Sequence, residues 1–417
     1  MPAASPAASR ARRAPAPFLF FPLILPFGIS FGFVSVAFAW LATHGAHPLS
    51  TQQTLGIVAA AFLPHTFKPL WAPLVDETLT KKAWYLIALA LTAAGTVVVA
   101  AMPLSPARVP VITATVMLSQ VGLTLMNMAC ESLLGLGVPD AHKGAASGWY
   151  NAGSNFGVGV GGGVALWLAQ HLPAPWMSGA ALGTLMLVCA VPLLFFDEPE
   201  GEHAHTLRGA LVELGRNVAT IFTTRSGLLA ILICVSPIAA GASTQLFSTE
   251  ADAWRVSGDL VALVGGIVGG LVTSVGAMAG GYLADKIARK LLYALAGGLM
   301  ACTALALAIA PHTPAAYIVL TLVYSFFFGV SYAAFSAFVL ETIGKGSVAT
   351  KYNLFAAAVN GAIAYMTVLV GHASARWGVN GALVTDAACT LASIALVLAI
   401  FALALRPPAR AAAAPPA

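Results

Sequence analysis

The chain has 417 residues, of which 59% are apolar and 8% charged, with a mean hydropathy of +0.87 and a formal net charge of +5. A soluble domain carries roughly 25% charged residues, so this composition excludes a soluble enzyme, a nucleic-acid binder and a disordered scaffold. The solvent of such a chain is lipid, in which about 20 consecutive apolar residues make one spanning helix.

Residues 1–17 are rich in Ala and Pro and carry Arg10, Arg12 and Arg13. The apolar run that follows is too long and too interrupted by proline for a cleaved secretory signal. A disordered cytoplasmic tail ahead of the first span is expected. Runs long enough to cross lie near 18–42, 53–75, 83–103, 109–132, 144–170 and 177–196, and again near 227–248, 259–284, 291–310, 314–340, 350–372 and 379–405. They are continuously apolar rather than alternating, which predicts helices and not barrel strands. The expected domains are an N-terminal six-helix half over 18–196, a linker over 197–226, a C-terminal half over 227–405 and a short tail over 406–417.

With both termini cytoplasmic, sixteen Lys and Arg residues fall in cytoplasmic segments and three, Arg108, Arg255 and Arg376, in outer loops. This positive-inside bias sets the orientation and explains the basic excess without an acidic partner. The linker opens with Asp197, Glu198, Glu200 and Glu202, and Leu207, Leu211, Leu214, Val218 and Phe222 then recur at helical spacing. A short amphipathic helix on the inner membrane surface is expected there. His203 and His205 lie in the linker without further ligands, and the five cysteines are scattered singly through apolar stretches. Neither pattern makes a metal site or a disulfide framework.

The two halves echo each other. Asp76 is matched by Asp285, Glu131 by Glu341, and Trp149-Tyr150-Asn151 by Lys351-Tyr352-Asn353, all at offsets of 202 to 210 residues. An even number of spans brings the second copy into the membrane in the same orientation. Parallel six-helix halves around a midplane site are the architecture this predicts.

Residues 281–290, Gly-Tyr-Leu-Ala-Asp-Lys-Ile-Ala-Arg-Lys, resemble the loop signature of the major facilitator superfamily, with Ala288 where glycine is usual. Residues 67–76, Phe-Lys-Pro-Leu-Trp-Ala-Pro-Leu-Val-Asp, resemble the corresponding stretch of the AmpG muropeptide permeases and the acetyl-CoA transporter family. Siderophore permeases for rhizobactin and pyochelin belong to the same neighbourhood. Where AmpG permeases carry Q-D-I-A-x-D-A-Y, this chain has Met126-Asn127-Met128-Ala129-Cys130-Glu131-Ser132-Leu133, so the likeness does not extend to that stretch. The resemblance implies an all-helical, multi-pass transporter of the bacterial inner membrane, coupled to protons. It also implies a charge network of Asp285, Arg289 and Glu341, with Asp76, closing the inner gate.

Charged groups inside spans are costly, and each is a functional candidate. Lys68 lies about 12 Å inward from Asp76 at 1.5 Å per residue, and its repeat counterpart is Ala277. A cation kept in one half only suits an anionic solute or a pairing with Glu131; the alternative is snorkelling to headgroups. His65 suits proton exchange or a bonded neutral role. Glu131 is expected near Asp76, Lys81 and Lys82, as a gate or on the proton path. Asp386 lies in the peripheral last span. Gln120, Asn127, Tyr150, Asn151, Asn155, Gln245, Tyr324, Tyr332, Tyr352, Asn353 and Asn360 are enough to line a hydrated path.

Gly157-Val158-Gly159-Val160-Gly161-Gly162 matches G-x-G-x-x-G but sits inside a span, without the strand a nucleotide fold needs. Gly153, Gly157 and Gly161, Gly265 with Gly269, and Gly276 with Gly280 instead repeat at i+4, the spacing of closely packed helices. They are expected at the interfaces that rock during transport. No phosphate-cradling loop, catalytic cluster or signalling domain is legible. A membrane acyltransferase and a non-transporting sensor are therefore the weaker alternatives to a transporter. Its expected partners are a small solute, the proton gradient and the bilayer, with no nucleic acid, cofactor or metal, in a monomer.

Overall fold

A computed structural model describes residues 15–197, 207–284, 286–343 and 348–404. All regular structure among them is helical. The first half holds α1 (Pro17–His44), α2 (Thr51–Thr66 continued by Lys68–Glu77), α3 (Lys81–Ala101), α4 (Pro106–Gly137), α5 (140–171) and α6 (Trp176–Phe195). The linker helix α7 is Leu207–Thr223. The second half holds α8 (Arg225–Val235 and Ser243–Thr249), α9 (Gly258–Ala284), α10 (Arg289–Ile309) and α11 (Pro314–Ile343), followed by α12 (348–377) and α13 (379–404). The last two run on as one helix except at Gly378, whose φ of 70° and ψ of −176° end one span and start the next. Only glycine tolerates that backbone.

Seven spans and the α12–α13 pair are long and apolar enough to cross a membrane on length and composition alone. The other three of the twelve are marked by polarity or a break. α5 opens with Asp140, His142 and Lys143. α2 breaks at Phe67, between Pro64 and Pro69. The predicted continuous span 227–248 is instead two pieces separated by 236–242, where Pro237 removes a backbone donor and Gly241 takes a φ of 66°. Helix starts follow local sequence. Ser50 and Gln53 form a reciprocal capping box, and the Thr80, Thr224 and Ser257 hydroxyls each accept from the backbone N–H three residues on.

Within the first half α5 packs on α1 and α3 on α4 and α6; within the second α11 packs on α9 and α10. Two of the three i+4 glycine sets serve these contacts. A Cβ on Gly153, Gly157 or Gly161 would lie 2.3, 2.5 or 1.9 Å from the carbonyl oxygens of Phe21, Leu25 and Ile29 in α1. One on Gly276 or Gly280 would lie 2.1 or 2.7 Å from those of Phe326 and Val330 in α11. These two stripes therefore hold each half together, not the rocking interface expected for them, whereas Gly265 of the third pair faces Val36 of α1 across the halves. Spacing reports that a backbone comes close, not which one.

The seam between halves is made by α2 on α12 and α5 on α9. Where backbone meets backbone across it, a Cβ on Gly266 would sit 2.4 Å from the Gly163 nitrogen. Here α1, α5 and α9 each widen into a π-turn, at Phe33–Phe38, Val160–Val164 and Ala262–Val268, and the three π-turns pack together. This closure lies toward the end opposite the loops that carry most Lys and Arg, hereafter the basic end. α7 packs on Lys68–Glu77, on α8 and on the Val348–Ala404 helix, so it joins the two halves at the basic end. Residues 198–206, with His203 and His205, lie outside the described residues, as do the terminal tails 1–14 and 405–417.

Candidate functional site

The break in α2 creates the site. Phe67 leaves helical geometry (φ −93°, ψ 5°), and Lys68 becomes the first residue of a new helix with Pro69 in its first turn. The Lys68 ammonium donates to both carboxylate oxygens of Glu131 in α4, at 2.9 and 2.8 Å. The Asn127 side-chain amide donates to Glu131 Oε1 at 3.0 Å, one helical turn away. The Tyr150 hydroxyl from α5 donates to Asn127 Oδ1 and lies 3.4 Å from Glu131 Oε1. Trp71 Nε1 donates to Thr124 Oγ1 at 3.2 Å, fixing the second piece of α2 against α4. Lys68 thus pairs with Glu131 instead of snorkelling, and Glu131 meets Lys68 rather than Lys81 or Lys82. Lys81 Nζ donates to the Val75 carbonyl at 2.8 Å, and Lys82 Nζ donates to that of Phe196.

The pair is unequally covered, with side-chain exposures of 10% for Lys68 and 37% for Glu131. Glu131 is thus the more accessible member of the pair. In the second half, Tyr332 of α11 is exposed and Tyr352 of α12 half-buried. Tyr352 shares a 2.9 Å hydrogen bond with Ser336 Oγ. Asn353 and Asn360 are half-buried in α12; Asn155 is half-buried and Asn151 exposed in α5.

One turn before Lys68, His65 is buried. Its Nε2 meets Gln120 Oε1 at 3.1 Å, and Gln120 Nε2 donates to Ser30 Oγ at 3.0 Å. The carbonyl-type oxygen of Gln120 can only accept, so His65 Nε2 carries the hydrogen in this arrangement. Phe27 and Phe31 enclose the ring edge-on at 5.7 and 5.6 Å. A small cavity of about 10 Å³ is lined by Phe31, Phe62, Ser35 and Gln120 among others.

The second half holds a polar centre of its own. Asp386 in α13 is 3% exposed. It accepts from Ser243 Oγ at 2.5 Å and from the Tyr324 hydroxyl at 3.1 Å. Tyr324 therefore belongs to this centre and not to the cavity lining. Ser243 starts the second piece of α8, so the carboxylate fixes α8, just past its break, to α11 and α13. No motif announced the trio, because Ser243 and Asp386 are 143 positions apart. Asp386→Ala is expected to lower the unfolding temperature in detergent, as two buried hydroxyls lose their acceptor at about 1–3 kcal/mol each. Asp386→Asn, which keeps an acceptor, is expected to lower it less. Nearby in α8, buried Gln245 donates to Thr244 Oγ1 at 3.3 Å while its own Oε1 has no partner.

Of the expected gate, Arg289 Nη1 lies 3.6 Å from Glu341 Oε2 and donates to the Ala337 carbonyl at 3.5 Å. Asp285 and the side chain of Asp76 lie outside the described set. The repeat mates Glu131 and Glu341 thus differ: one is committed to a lysine within the bundle, the other to an arginine near the basic end. Among the described residues no three His, Cys, Asp or Glu side chains gather into a metal site.

Residues 20–365 match the Major Facilitator Superfamily. Among solved structures, a variant of the nucleoside transporter NupG superposes with a TM-score of 0.71 at 13% identity, covering 92% of this chain and 99% of that one. A D-xylose-proton symporter gives 0.67 at 15% identity, with 91% and 95% covered. A bacterial homolog of the human lysosomal transporter Spinster, inward-facing and unoccupied, gives 0.70 at 14% identity, with 94% and 98% covered. At these identities the likeness establishes the fold. No curated protein sequence matches the chain.

Proposed function

The chain belongs to the Major Facilitator Superfamily, a transporter and not an enzyme, and on that premise we propose that it carries a small anionic solute across the bacterial inner membrane together with a proton. The observation that carries this reading is the Lys68 ammonium held by both oxygens of Glu131. While Glu131 is ionised, Lys68 is occupied. Protonation of Glu131 removes its charge and releases the ammonium, which then takes a carboxylate or phosphate of the solute in its place. Proton and anion bind together, and the site returns to the same net charge. Cotransport of a monoanion is therefore electroneutral.

The basic end faces the cytoplasm on the positive-inside argument, so the closed seam faces outward and Glu131 is reached from inside. The 67–76 stretch that resembles AmpG-like permeases supplies Lys68 and Trp71 to the site, which supports an anionic or amphiphilic solute of that kind. His65, Gln120 and Ser30 provide a chain of exchangeable hydrogens behind the pair. The halves 18–196 and 227–405 rock about the α2–α12 and α5–α9 seam, in a monomer.

Proteoliposome uptake of a panel of muropeptide, ferric siderophores and acyl-CoA tests the reading. Accumulation of one of them is expected to follow an imposed pH gradient, to collapse with a protonophore and to ignore a potassium-diffusion potential for a monoanion. Accumulation that persists after the pH gradient is dissipated would refute proton coupling.

A further inference from the structure

At the closed end, two histidines of the first half each meet an aspartate of the second. His44, in the last turn of α1, has Nε2 3.0 Å from Asp252 Oδ2. His171, at the end of α5, has Nδ1 4.0 Å from Asp259 Oδ1, and Gly258 abuts the neighbouring Gln170. Each ring stacks on a tryptophan four residues earlier, Trp40 at 4.2 Å and Trp167 at 4.6 Å. Each Nδ1 lies 2.9 Å from that tryptophan's carbonyl oxygen. A carbonyl only accepts, and the Thr43 hydroxyl, 2.9 Å from His44 Nδ1, donates to the Ala39 and Trp40 carbonyls, so Nδ1 holds a hydrogen in both rings. The Nε2 of a neutral His44 would then turn a lone pair on the Asp252 carboxylate. That contact is attractive only when the His44 ring carries its second proton, whereas at His171 the nitrogen nearer the aspartate is the hydrogen-bearing Nδ1, and the second proton strengthens the pair by adding charge.

We propose that His44 and His171 form an outward-facing proton site, separate from Glu131, that clamps the two halves. When both rings are charged they hold Asp252 and Asp259 and keep the outer end shut; when neutral, the clamp loosens. Acid outside, by charging the rings, therefore favours the outer-closed state. The outward placement rests on the reading above, whereas the clamp itself rests on these contacts. The other ionisable groups of this end are His47, Arg108, Arg255, His372 and Arg376, all exposed, Glu250, which accepts from Ser374 Oγ at 2.6 Å, and His312, which meets Asn380. The facing segments of α2 and α8, Thr51–Phe62 and Ser243–Thr249, carry no ionisable side chain, and neither does Trp176–Val188 of α6.

The test is the distance between spin labels on Ala46→Cys and Ala315→Cys, exposed sites on opposite halves at this end. The five native cysteines are replaced by alanine, and the protein is held in nanodiscs without solute. Lowering the pH from 8 to 5.5 is expected to raise the ratio of short to long distances by about threefold, the scale of two exposed ion pairs. Both His44→Gln/His171→Gln and Asp252→Asn/Asp259→Asn should flatten that response; the aspartate variant, altered only at exposed side chains, covers the case in which the histidine variant does not fold. A wild-type distribution indifferent to pH, or a full shift surviving in either double variant, overturns the clamp. The readout needs no transport, so its failure is distinct from failure of proton-coupled uptake.

Discussion

Lys68→Ala is expected to cut solute uptake by about a hundredfold in kcat/KM, while Glu131→Gln is expected to spare exchange and abolish accumulation. The two substitutions remove different things. Without Lys68 an anionic solute loses a charge-assisted contact, worth about 1.5–3 kcal/mol, and Glu131 loses the cation that balances it. Glutamine at 131 resembles the protonated carboxyl: it leaves Lys68 available at every pH, so the solute binds but its binding no longer draws a proton. Counterflow between preloaded vesicles should then proceed, and uptake driven by a pH gradient should not. Equal loss of both activities in Glu131→Gln would mean that the pair holds α2 to α4 without coupling anything. A thermal shift separates that outcome from misfolding.

The contrast between these two residues also shows what the sequence could convey. Charge is so sparse in this chain that Lys68 and Glu131 stand out as isolated letters, and the twelve spans follow from the same sparseness. Their partnership does not, because 63 residues separate them and nothing local encodes which face of α2 meets which face of α4. The breaks in α2 and α8 were half-legible: Pro64, Pro69 and Pro237 mark them, yet the surrounding runs remain apolar enough to read as unbroken. Asp386 looked peripheral because α13 is the last span, whereas its carboxylate is turned inward onto α8 and α11. His44 and His171 carried no signal above that of ordinary helix-end histidines, since their partners come from the other half.

The glycines supply the sharpest separation between holding a half together and letting two halves move. Gly266→Val is expected to reduce transport at least tenfold and to lengthen the distance between labels at 46 and 315 at every pH, while leaving the unfolding temperature within a few degrees. Its Cβ would meet the Gly163 backbone at 2.4 Å, closer than atoms pack. That contact joins α9 to α5 across the seam, and the halves can relieve it by parting. Gly161→Val meets the Ile29 carbonyl at 1.9 Å, but α1 and α5 belong to the same half and cannot part without unpacking it. Overpacking of that kind costs about 1–3 kcal/mol or more, so Gly161→Val should lower the unfolding temperature and leave the label distances of the surviving protein unchanged. If both variants simply unfolded, α5 and α9 would be packed as one core, and the seam would have to lie elsewhere. If only Gly266→Val shifts the distances, the α5–α9 contact is the surface on which the outer end opens.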